Sequence, residues 1–298
     1  SSASSASAPA RRRAASTPIG SDRPLACSTA RWPSRAQAWR ACGWRSSCPP
    51  LASSPSRLAS DGGRVAAAWF TAKGRAIAWV TRPFQGRTLL TSDLFGVPLE
   101  FYAKMDRLPP IHQKYALYRG VKPLRIDHFN TFSPDVDASV AFWNDMGFRV
   151  TEYTEDEESG KLWAAWMHRK GGVHDIAFTN GRGPRLHHTA FWVPTPLNII
   201  DLLDLMATTG YVGNIERGPG RHGISNAFFL YVLDPDGHRI EIYCSDYQTV
   251  DPDLEPIKWD LKDPQRQTLW GAPAPKSWFE HGSVFAGTDV RESDLKAQ

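Results

Sequence analysis

Two histidines and one glutamate, His128, His188 and Glu241, lie in three separate segments that each have the residue alternation of a β-strand. Two imidazoles and one carboxylate on neighbouring strands can occupy one face of Fe(II), or of a similar metal such as Mn(II), and leave the opposite positions open to other ligands. No short local motif fixes this spacing. From the spacing alone, hydrogen-bonded core histidines with a solvated glutamate are the more common alternative.

Glu241 lies in a segment with the pattern strand, turn, strand. Residues 226–233 are aromatic and aliphatic, residues 234–237 (DPDG) are typical of a turn, and the alternation then resumes. Because successive side chains of a strand point to opposite faces, Ile240 and Ile242 can pack into an apolar layer while Glu241 lies on the other face. A carboxylate there must be exposed, paired or bound to a cation.

The two histidine segments place further polar or aromatic groups beside the ligand candidates. Asn130 shares a strand face with His128, and Trp192 shares one with His188. His187 points to the face opposite His188, so it is not a predicted ligand. The candidate centre therefore takes one residue from each of three strands.

Long, ordered blocks of this sequence resemble the extradiol ring-cleaving dioxygenases of the vicinal oxygen chelate superfamily. The resemblance runs from about Gly86 to Ser277. Within the family, the sequence is most similar to the members that act on 3,4-dihydroxyphenylacetate (homoprotocatechuate). The blocks that carry it are LRIDHFN at 124–130, AAWMHRK at 164–170, HDIAFT at 174–179, GPRLHH at 183–188 and ERGPGRHGISNAFFLYVLDPDGHRIEIY at 216–243.

The resemblance implies an α+β fold of paired βαβββ modules, the vicinal oxygen chelate or glyoxalase-like fold, forming an open barrel around a metal. The family has an N-terminal module pair ahead of the catalytic pair, and we expect this first pair to be largely absent or disrupted here. The expected organisation is an unassigned segment at 1–85, a remnant of the N-terminal domain at 86–120, a catalytic two-module domain at 121–250, and a covering segment and tail at 251–298.

The resemblance also implies roles at the metal. His128, His188 and Glu241 match the family's metal ligands, with Fe(II) expected, Mn(II) as the alternative and O2 as co-substrate. His174 matches the acid–base histidine, a task that suits an imidazole. Tyr231 matches a tyrosine that hydrogen-bonds the ligand oxygen nearest the metal. From the residues alone, His174 is a loop histidine and Tyr231 a core aromatic.

Further matches surround the expected substrate. The implied roles are an oxygen contact for Asn130, a catechol-oxygen contact for His222, a pocket wall for Trp166, and side-chain contacts for Arg217, His222 and Arg266. Arginine suits a carboxylate because its planar fork makes two parallel charge-assisted bonds. The family pattern places a second arginine after Arg266, where this sequence has Gln267, so the exact acidic side chain stays open.

The implied function is extradiol ring cleavage of 3,4-dihydroxyphenylacetate, or of a similar acidic catechol, with O2 and one divalent metal ion. The alternatives are a non-catalytic ligand-binding protein of the same superfamily and an inactive, truncated dioxygenase. A proton-shuttling His174 beside Tyr231 argues against a protein that only sequesters its ligand. The resemblance further implies a homo-oligomer, a tetramer in the family.

Charge and cysteines divide the chain unevenly. Residues 1–90 hold 14 of the 35 Lys and Arg but only 2 of the 31 Asp and Glu, so the remainder carries 21 basic and 29 acidic residues, a net charge of −8. The basic character therefore belongs to the N-terminal segment, and nucleic-acid binding by the folded part is not predicted. Cys27, Cys42 and Cys48 lie there too, and with Cys244 they form no disulfide or zinc pattern, which favours a cytoplasmic protein. No apolar run approaches the ~20 residues of a membrane span.

Residues 1–60 are a low-complexity mixture of Ser, Ala, Arg and Pro without Lys or Met. Such a composition buries too little apolar surface to fold. Three interpretations compete: a mitochondrial transit peptide, a disordered basic arm, and translation of a GC-rich gene in the wrong frame. The abrupt start of the resemblance at about Gly86 favours the third.

Local patterns predict the elements of the two modules. Helices are predicted from Ser133 to Met146, with Ser133 or Asp135 as the cap, from Leu197 to Thr209, and within 105–120. Residues 93–102 repeat the pattern of 234–243 and place Glu100 where Glu241 stands, but without histidine partners. By resemblance, the segment 251–281 covers the catalytic module, anchored by Trp259, Trp270 and Trp278.

Overall fold

The structure, a computed structural model, describes residues 55–251 and 253–295, with side chains from residue 63 onward, so the expectations for residues 1–54 fall outside it. Within the described part, no helix combines the length and the apolar character needed to cross a membrane. The helices are α1 Pro55–Ala72, α2 Val136–Asp145, α3 Pro196–Thr208 and α4 Lys276–Glu280. The strands are β1 Ala78–Arg82, β2 Gly86–Ser92, β3 Pro98–Tyr102, β4 Arg125–Ser133, β5 Arg149–Glu155, β6 Leu162–His168, β7 Ile176–Asn180, β8 Arg185–Trp192, β9 Ile215–Arg221, β10 Phe228–Leu233, β11 Arg239–Cys244, β12 Ile257–Asp260 and β13 Ser283–Val284.

Two βαβββ modules follow one another along the chain, β4-α2-β5-β6-β7 (module one) and β8-α3-β9-β10-β11 (module two). In each module the last strand pairs in parallel with the first, β7 with β4 and β11 with β8. The modules join through the antiparallel pair β4–β8. The resulting sheet has the order β12-β5-β6-β7-β4-β8-β11-β10-β9 and does not close. This confirms the predicted α+β module fold.

The module helices form where the sequence supplies caps and one apolar face. Asp135 caps α2 by accepting a hydrogen bond from the Ala138 amide at 2.9 Å. Pro196 occupies the first turn of α3, where its missing amide hydrogen costs no helical hydrogen bond. Ile199 of α3 is fully buried and packs in the apolar cluster between this helix and module two's sheet. Both helices confirm the sequence-based prediction.

The segment 105–120 is not the helix that we predicted. It is extended and turned, and its helical part is a single 3₁₀ turn, Tyr115–Leu117. Every residue of the segment except Tyr118 is exposed. A helix of this length is marginal in water unless tertiary packing covers an apolar face, and no such face is buried here.

Ordered structure begins ahead of Gly86, which differs from the expectation for residues 1–85. Helix α1 and strand β1 lie within residues 55–85, and β1 pairs antiparallel with β2, which pairs with β3. Phe70 and Leu89 are buried between α1 and this sheet. Glu100, the counterpart of Glu241 in the repeat, is bound by Arg82 at 2.9 Å. It therefore lies in a surface ion pair, as its lack of histidine partners predicted.

The C-terminal segment covers the two modules, and the three predicted tryptophan anchors all make contacts. Strand β12 adds to β5 of module one, and β13 pairs with β8. The indole of Trp259 donates to Glu152 at 2.6 Å. The ring of Trp270 lies 5.6 Å from that of Phe228. The ring of Trp278 in α4 lies 4.3 Å from that of Tyr231.

Candidate metal centre

The three predicted ligands meet in the barrel. Ligand atoms of His128, His188 and Glu241 all lie within 4.8 Å of one another, and the three side chains are buried. The Nε2 atoms of the histidines are 3.3 Å apart, and each faces Glu241 Oε2, at 2.9 Å for His128 and 3.2 Å for His188. Two imidazole nitrogens and one carboxylate oxygen converging on one point fit a divalent metal of the kind bound by facial triads.

Strand pairing explains why these residues converge. His188 lies opposite Asn130 in the antiparallel pair β4–β8, and Glu241 lies beside Ala190 in the parallel pair β8–β11. Paired residues share a sheet face, so the alternation of three strands sends all three ligands into the barrel. Module one therefore contributes one ligand and module two contributes two.

The electrostatics of the cluster favour a cation. Burial alone would raise the pKa of Glu241, but hydrogen bonds from both histidines hold it well below its usual value, so the carboxylate is ionised. Burial would lower the pKa of His128, yet Asp127 and Glu241 raise it to about 9. At His188 burial prevails and lowers the pKa to about 4. The ionised Glu241 carboxylate therefore attracts positive charge to the space between its Oε2 and the two histidine Nε2 atoms.

A second layer of hydrogen bonds orients the ligands. Asp127 Oδ2 lies 3.1 Å from His128 Nδ1 and also accepts from the hydroxyl of Tyr243. His187 holds its Nε2 2.9 Å from the Trp278 carbonyl and its Nδ1 2.6 Å from His188 Nδ1. The prediction that His187 points to the face opposite His188 is wrong: the register of the pair β4–β8 shifts at His187, so its ring turns toward that of His188, outside the three converging atoms. Such partners fix the tautomer and direction of a ligating imidazole.

His174 lies directly beside the centre. Its ring centroid is 3.8 Å from that of His128, and the residue is 4% exposed. Its Nδ1 is buried and has no hydrogen-bond partner among the described residues. Burial and the nearby charge of His128 lower the pKa of His174 well below its usual value, so the imidazole is neutral. The ring lines the cavity, so a molecule bound there would contact a neutral imidazole.

The predicted oxygen-contacting residues lie around the same cavity. Tyr231 is directly opposite Glu241 in the pair β10–β11, and its hydroxyl is 3.0 Å from Nε2 of His222. Nδ1 of His222 is bonded to the carbonyl of Gln267. Burial lowers the pKa of His222 to about 3. Asn130 accepts at Oδ1 from the Thr179 hydroxyl at 3.2 Å, which fixes its amide beside the ligands.

A cavity of about 590 Å³ contains the ligand cluster and the remaining predicted residues, Trp166, Arg217 and Arg266. Arg217 is only 3% exposed and lies opposite Tyr231 in the pair β9–β10. Its Nη2 donates to the Gln267 carbonyl at 3.0 Å and to the Thr268 hydroxyl at 2.8 Å. Its Nε and Nη1 are buried without hydrogen-bond partners among the described residues.

Within the described residues, Arg266 makes fewer hydrogen bonds than Arg217 and lies nearer the surface. Its Nε donates to the Leu261 carbonyl at 3.0 Å, and the side chain is half-buried at the edge of the cavity. Burial lowers the pKa of Arg217. The guanidinium nevertheless stays charged, because the ordinary pKa of arginine is very high. Arg217 is therefore a buried cation of this cavity, and Arg266 supplements it nearer the surface.

Comparison with known proteins agrees with this geometry. The family model described as "Glyoxalase/Bleomycin resistance protein/Dioxygenase superfamily" matches residues 125–242, the two modules. A manganese-dependent 2,3-dihydroxybiphenyl 1,2-dioxygenase of Geobacillus genomosp. 3 is 34% identical over 223 residues, covering 69% of this chain and 70% of the relative. The chain belongs to the extradiol dioxygenases of this superfamily.

Two further members show how much of an extradiol dioxygenase this chain spans. A metapyrocatechase of Geobacillus stearothermophilus is 38% identical over 180 residues, 58% of this chain but only 54% of the relative. Homoprotocatechuate 2,3-dioxygenase from Brevibacterium fuscum, solved in complex with 3,4-dihydroxyphenylacetate, is 45% identical with a TM-score of 0.72, covering 76% of this chain and 72% of that one. The chain thus spans about half the length of the metapyrocatechase.

The sequence did not reveal the buried polar residues that hydrogen-bond the residues of the candidate site. Asp127, Tyr243 and Glu152 are buried polar groups with short hydrogen bonds to residues far along the chain. Asp127 and Tyr243 had a usable signal, since each lies next to or two residues from a ligand. Glu152 had none, because its three partners come from segments 73 or more residues away.

Proposed function

We propose that this chain catalyses extradiol cleavage of a catechol that carries a short acidic side chain, using O2 and one divalent metal ion. The observation that carries the proposal is the meeting of three ligand atoms, from His128, His188 and Glu241, beside a neutral His174 with a free Nδ1. A protein that only sequesters a ligand has no need of an unpartnered imidazole at the metal. Fe(II) is the proposed metal, with Mn(II) as the alternative that the name of one relative supports.

The bound metal would supply a template on which the two catechol oxygens and O2 are held side by side, replacing two separate encounters by one local step. The residues then manage protons. His174 would take the proton of a catechol hydroxyl and return it to an oxygen of the opened ring. Both oxygen atoms of O2 enter the product, a hydroxymuconic semialdehyde.

Tyr231 and His222 would orient the catechol. Burial raises the pKa of Tyr231 well above its usual value, so its hydroxyl keeps its proton and can donate it in a hydrogen bond. His222 donates from Nδ1 to the Gln267 carbonyl, so its neutral ring accepts at Nε2 from the Tyr231 hydroxyl, and a catechol oxygen would take over this hydrogen bond on binding. Together they offer polar contacts to the oxygen of the ring nearest β10. Trp166 and Asn130 border the cavity on the module-one side.

The acidic side chain is proposed from the row Arg217, Tyr231, Glu241, three residues that are direct partners across β9, β10 and β11. Two strand spacings of about 4.8 Å separate the first from the last, so the backbones lie roughly 10 Å apart. A catechol ring bound at Glu241 with an acidic side chain directed along this row reaches Arg217. A buried guanidinium with two nitrogens, Nε and Nη1, left without hydrogen-bond partners among the described residues suits such an anion.

One experiment tests the proposal as a whole. The chain is reconstituted anaerobically with Fe(II) or with Mn(II), given 3,4-dihydroxyphenylacetate, and exposed to air. The expected result is the visible absorbance of a ring-opened semialdehyde together with uptake of one O2 per catechol. Tight catechol binding without O2 uptake, with either metal at full occupancy, would identify the ligand-binding alternative instead.

A further inference from the structure

Glu152 of β5 is a fully buried carboxylate that accepts three hydrogen bonds. Its Oε1 accepts from the Ser225 amide at 2.8 Å and from the Tyr247 hydroxyl at 2.6 Å, and its Oε2 accepts from the Trp259 indole at 2.6 Å. Its exposed fraction is 0%. No Lys or Arg of the described residues forms an ion pair with it, so neutral donors alone hold a group that is costly to bury.

The three donors belong to three other parts of the fold, of which only β12 is also paired with the strand of Glu152. Glu152 lies in module one, Ser225 in the turn between β9 and β10 of module two, Tyr247 just after β11, and Trp259 in β12 of the covering segment. The carboxylate therefore joins both modules and the covering segment at one point. All three hydrogen bonds can stabilise the packing of these parts. The bond to Ser225 differs from the other two because its donor lies in a left-handed turn.

The turn at Ser225 has an unfavourable backbone conformation. Ser225 has φ 60° and Asn226 has φ 55°, so two consecutive non-glycine residues are left-handed. This conformation is unfavourable for a residue with a Cβ atom, for serine more than for asparagine. The hydrogen bond from the Ser225 amide to Glu152 is made in this conformation and favours it.

The same turn forms part of the cavity. Ile224 and Ser225 line it, and His222 lies at the start of the turn with its Nε2 3.0 Å from the Tyr231 hydroxyl. The amide of His222 donates to the Ala227 carbonyl at 2.9 Å, which closes the turn on itself. A rotation of the peptide at Ser225 would move the cavity wall at Ile224 and Ser225 and, through the bond between His222 and Ala227, the backbone that carries the His222 ring.

We propose that Glu152 is a positioning residue for the catechol: its bond to the Ser225 amide holds the turn 222–227 in its left-handed conformation and thereby aims His222 into the cavity. The inference rests on the proposed function for the identity of the ligand. Glu152 does not touch the cavity, and it acts through the turn.

The first variant is Glu152→Gln in the full chain, loaded with metal. Glutamine keeps the size but offers one acceptor oxygen in place of two, and its NH2 group faces donors. We expect the metal content to stay at the wild-type level, since β4, β8 and β11 are untouched. The Kd for 4-nitrocatechol, measured anaerobically by absorbance, should rise about tenfold, the factor that matches loss of support for one left-handed residue. KM should rise in parallel.

A rescue comparison separates positioning from general stabilisation. Ser225→Gly and Ser225→Ala both remove the hydroxyl, but only glycine adopts a left-handed conformation without cost. On the Glu152→Gln background, Ser225→Gly should therefore restore most of the tenfold loss in Kd, and Ser225→Ala should restore none. Equal values in the two double variants, or an unchanged Kd in Glu152→Gln, would overturn the proposal.

Two further arms cover the other outcomes. Should Glu152→Gln fail to fold, Glu152→Asp takes its place in the same glycine and alanine comparison. Amide exchange of the peptide 222–227 is measured in all variants and should be faster in Glu152→Gln and slower again with Ser225→Gly. The exchange measurement needs no catechol. If the wild-type chain cleaves no catechol, the proposed function is refuted, and the role of Glu152 is still tested by amide exchange. Unchanged exchange refutes the role of Glu152 alone.

Discussion

The imidazole rings of His128 and His174 lie with their centroids 3.8 Å apart, yet only one of them is held by hydrogen bonds at both nitrogens. His128 contacts Asp127 through Nδ1 and Glu241 through Nε2. His174 leaves its Nδ1 buried and unpartnered within the described residues. One ring is therefore fixed at both nitrogens, as the proposed ligand role requires, and its neighbour keeps one nitrogen without a partner, as the proposed acid–base role requires.

Replacing His174 by phenylalanine should slow turnover without loss of binding. The ring shape is kept and the proton-accepting nitrogen is removed, and general acid–base groups contribute typically ~10²–10⁴-fold to turnover. We expect kcat to fall within that range, while metal content and the Kd for 4-nitrocatechol stay within about threefold of wild type. An unchanged kcat at several pH values would remove His174 from the mechanism.

Replacing Glu241 by alanine should abolish tight binding of Fe(II) or Mn(II), because the centre loses its one carboxylate. Glu100→Ala is the matched control. Glu100 stands at the corresponding point of the repeated pattern in β3, but its partner is Arg82 rather than a pair of histidines. Metal stoichiometry after dialysis should be near zero for the first variant and unchanged for the second. Stoichiometric metal in Glu241→Ala would end the ligand assignment.

Replacing Arg217 by glutamine should reduce the preference for an acidic catechol. Hydrogen bonds to charged groups contribute roughly 1.5–3 kcal/mol each, or about one to two decades in specificity. The measurement is the ratio of kcat/KM for 3,4-dihydroxyphenylacetate and for unsubstituted catechol. Arg87→Gln, on β2 with its guanidinium over the Trp79 ring and outside this cavity, is the control and should keep the ratio.

Arg266→Ala should lower this ratio by less than Arg217→Gln does, since Arg266 is half-buried and its Nε is bonded to the Leu261 carbonyl. If the wild type shows no preference for the acidic catechol, or if Arg217→Gln leaves the preference intact, acid recognition at this row is wrong. Ring cleavage itself would be unaffected by either result.

The ion pair of Glu216 with Arg239 should make stability depend on pH. Burial raises the pKa of Glu216, but the hydrogen bonds and charge of Arg239 outweigh it and lower the pKa. The folded state thus favours the ionised carboxylate. Its contribution is present above the unfolded pKa of about 4.3 and is lost as the pH falls through the lower folded pKa.

Glu216→Gln removes this contribution and leaves Arg239, which is 3% exposed, without its carboxylate. We expect the free energy of unfolding at pH 7 to fall by about 3 kcal/mol. The difference from wild type should shrink as the pH falls below about 4. Glu100→Gln, in an exposed pair, should change it by about 0–1 kcal/mol at any pH. A pH-independent difference for Glu216→Gln would show that the ion pair is not its source.

The two modules and the convergence of His128, His188 and Glu241 could be predicted from the sequence because their signals are local or belong to long ordered blocks. Strand alternation put His128, His188 and Glu241 on inward faces, and the turn at 234–237 fixed the hairpin that carries Glu241. The helix expected within 105–120 did not form, because local propensity decides little where no apolar face is buried.

The supporting residues depend on contacts that no sequence pattern encodes. Glu152 meets Trp259 across 107 residues, and Tyr243 meets Asp127 across 116. The exposed or buried state of Arg217 likewise follows from the covering segment, whose Trp278 ring lies 4.5 Å from the guanidinium. Which arginine would be left with unused donors could be learned only from the packed structure.

The repeat of the βαβββ module gives the centre an approximate twofold symmetry that its ligands do not obey. In module two, Glu241 stands beside the residue two positions after His188; in module one, the corresponding place beside Asn130 is taken by Ala177. Ala177 is fully buried and lies opposite Trp166 in β6–β7. A methyl group cannot bind a metal. The position that corresponds to Glu241 in module one therefore offers no second carboxylate, and this side of the centre is open to a molecule that packs against Trp166.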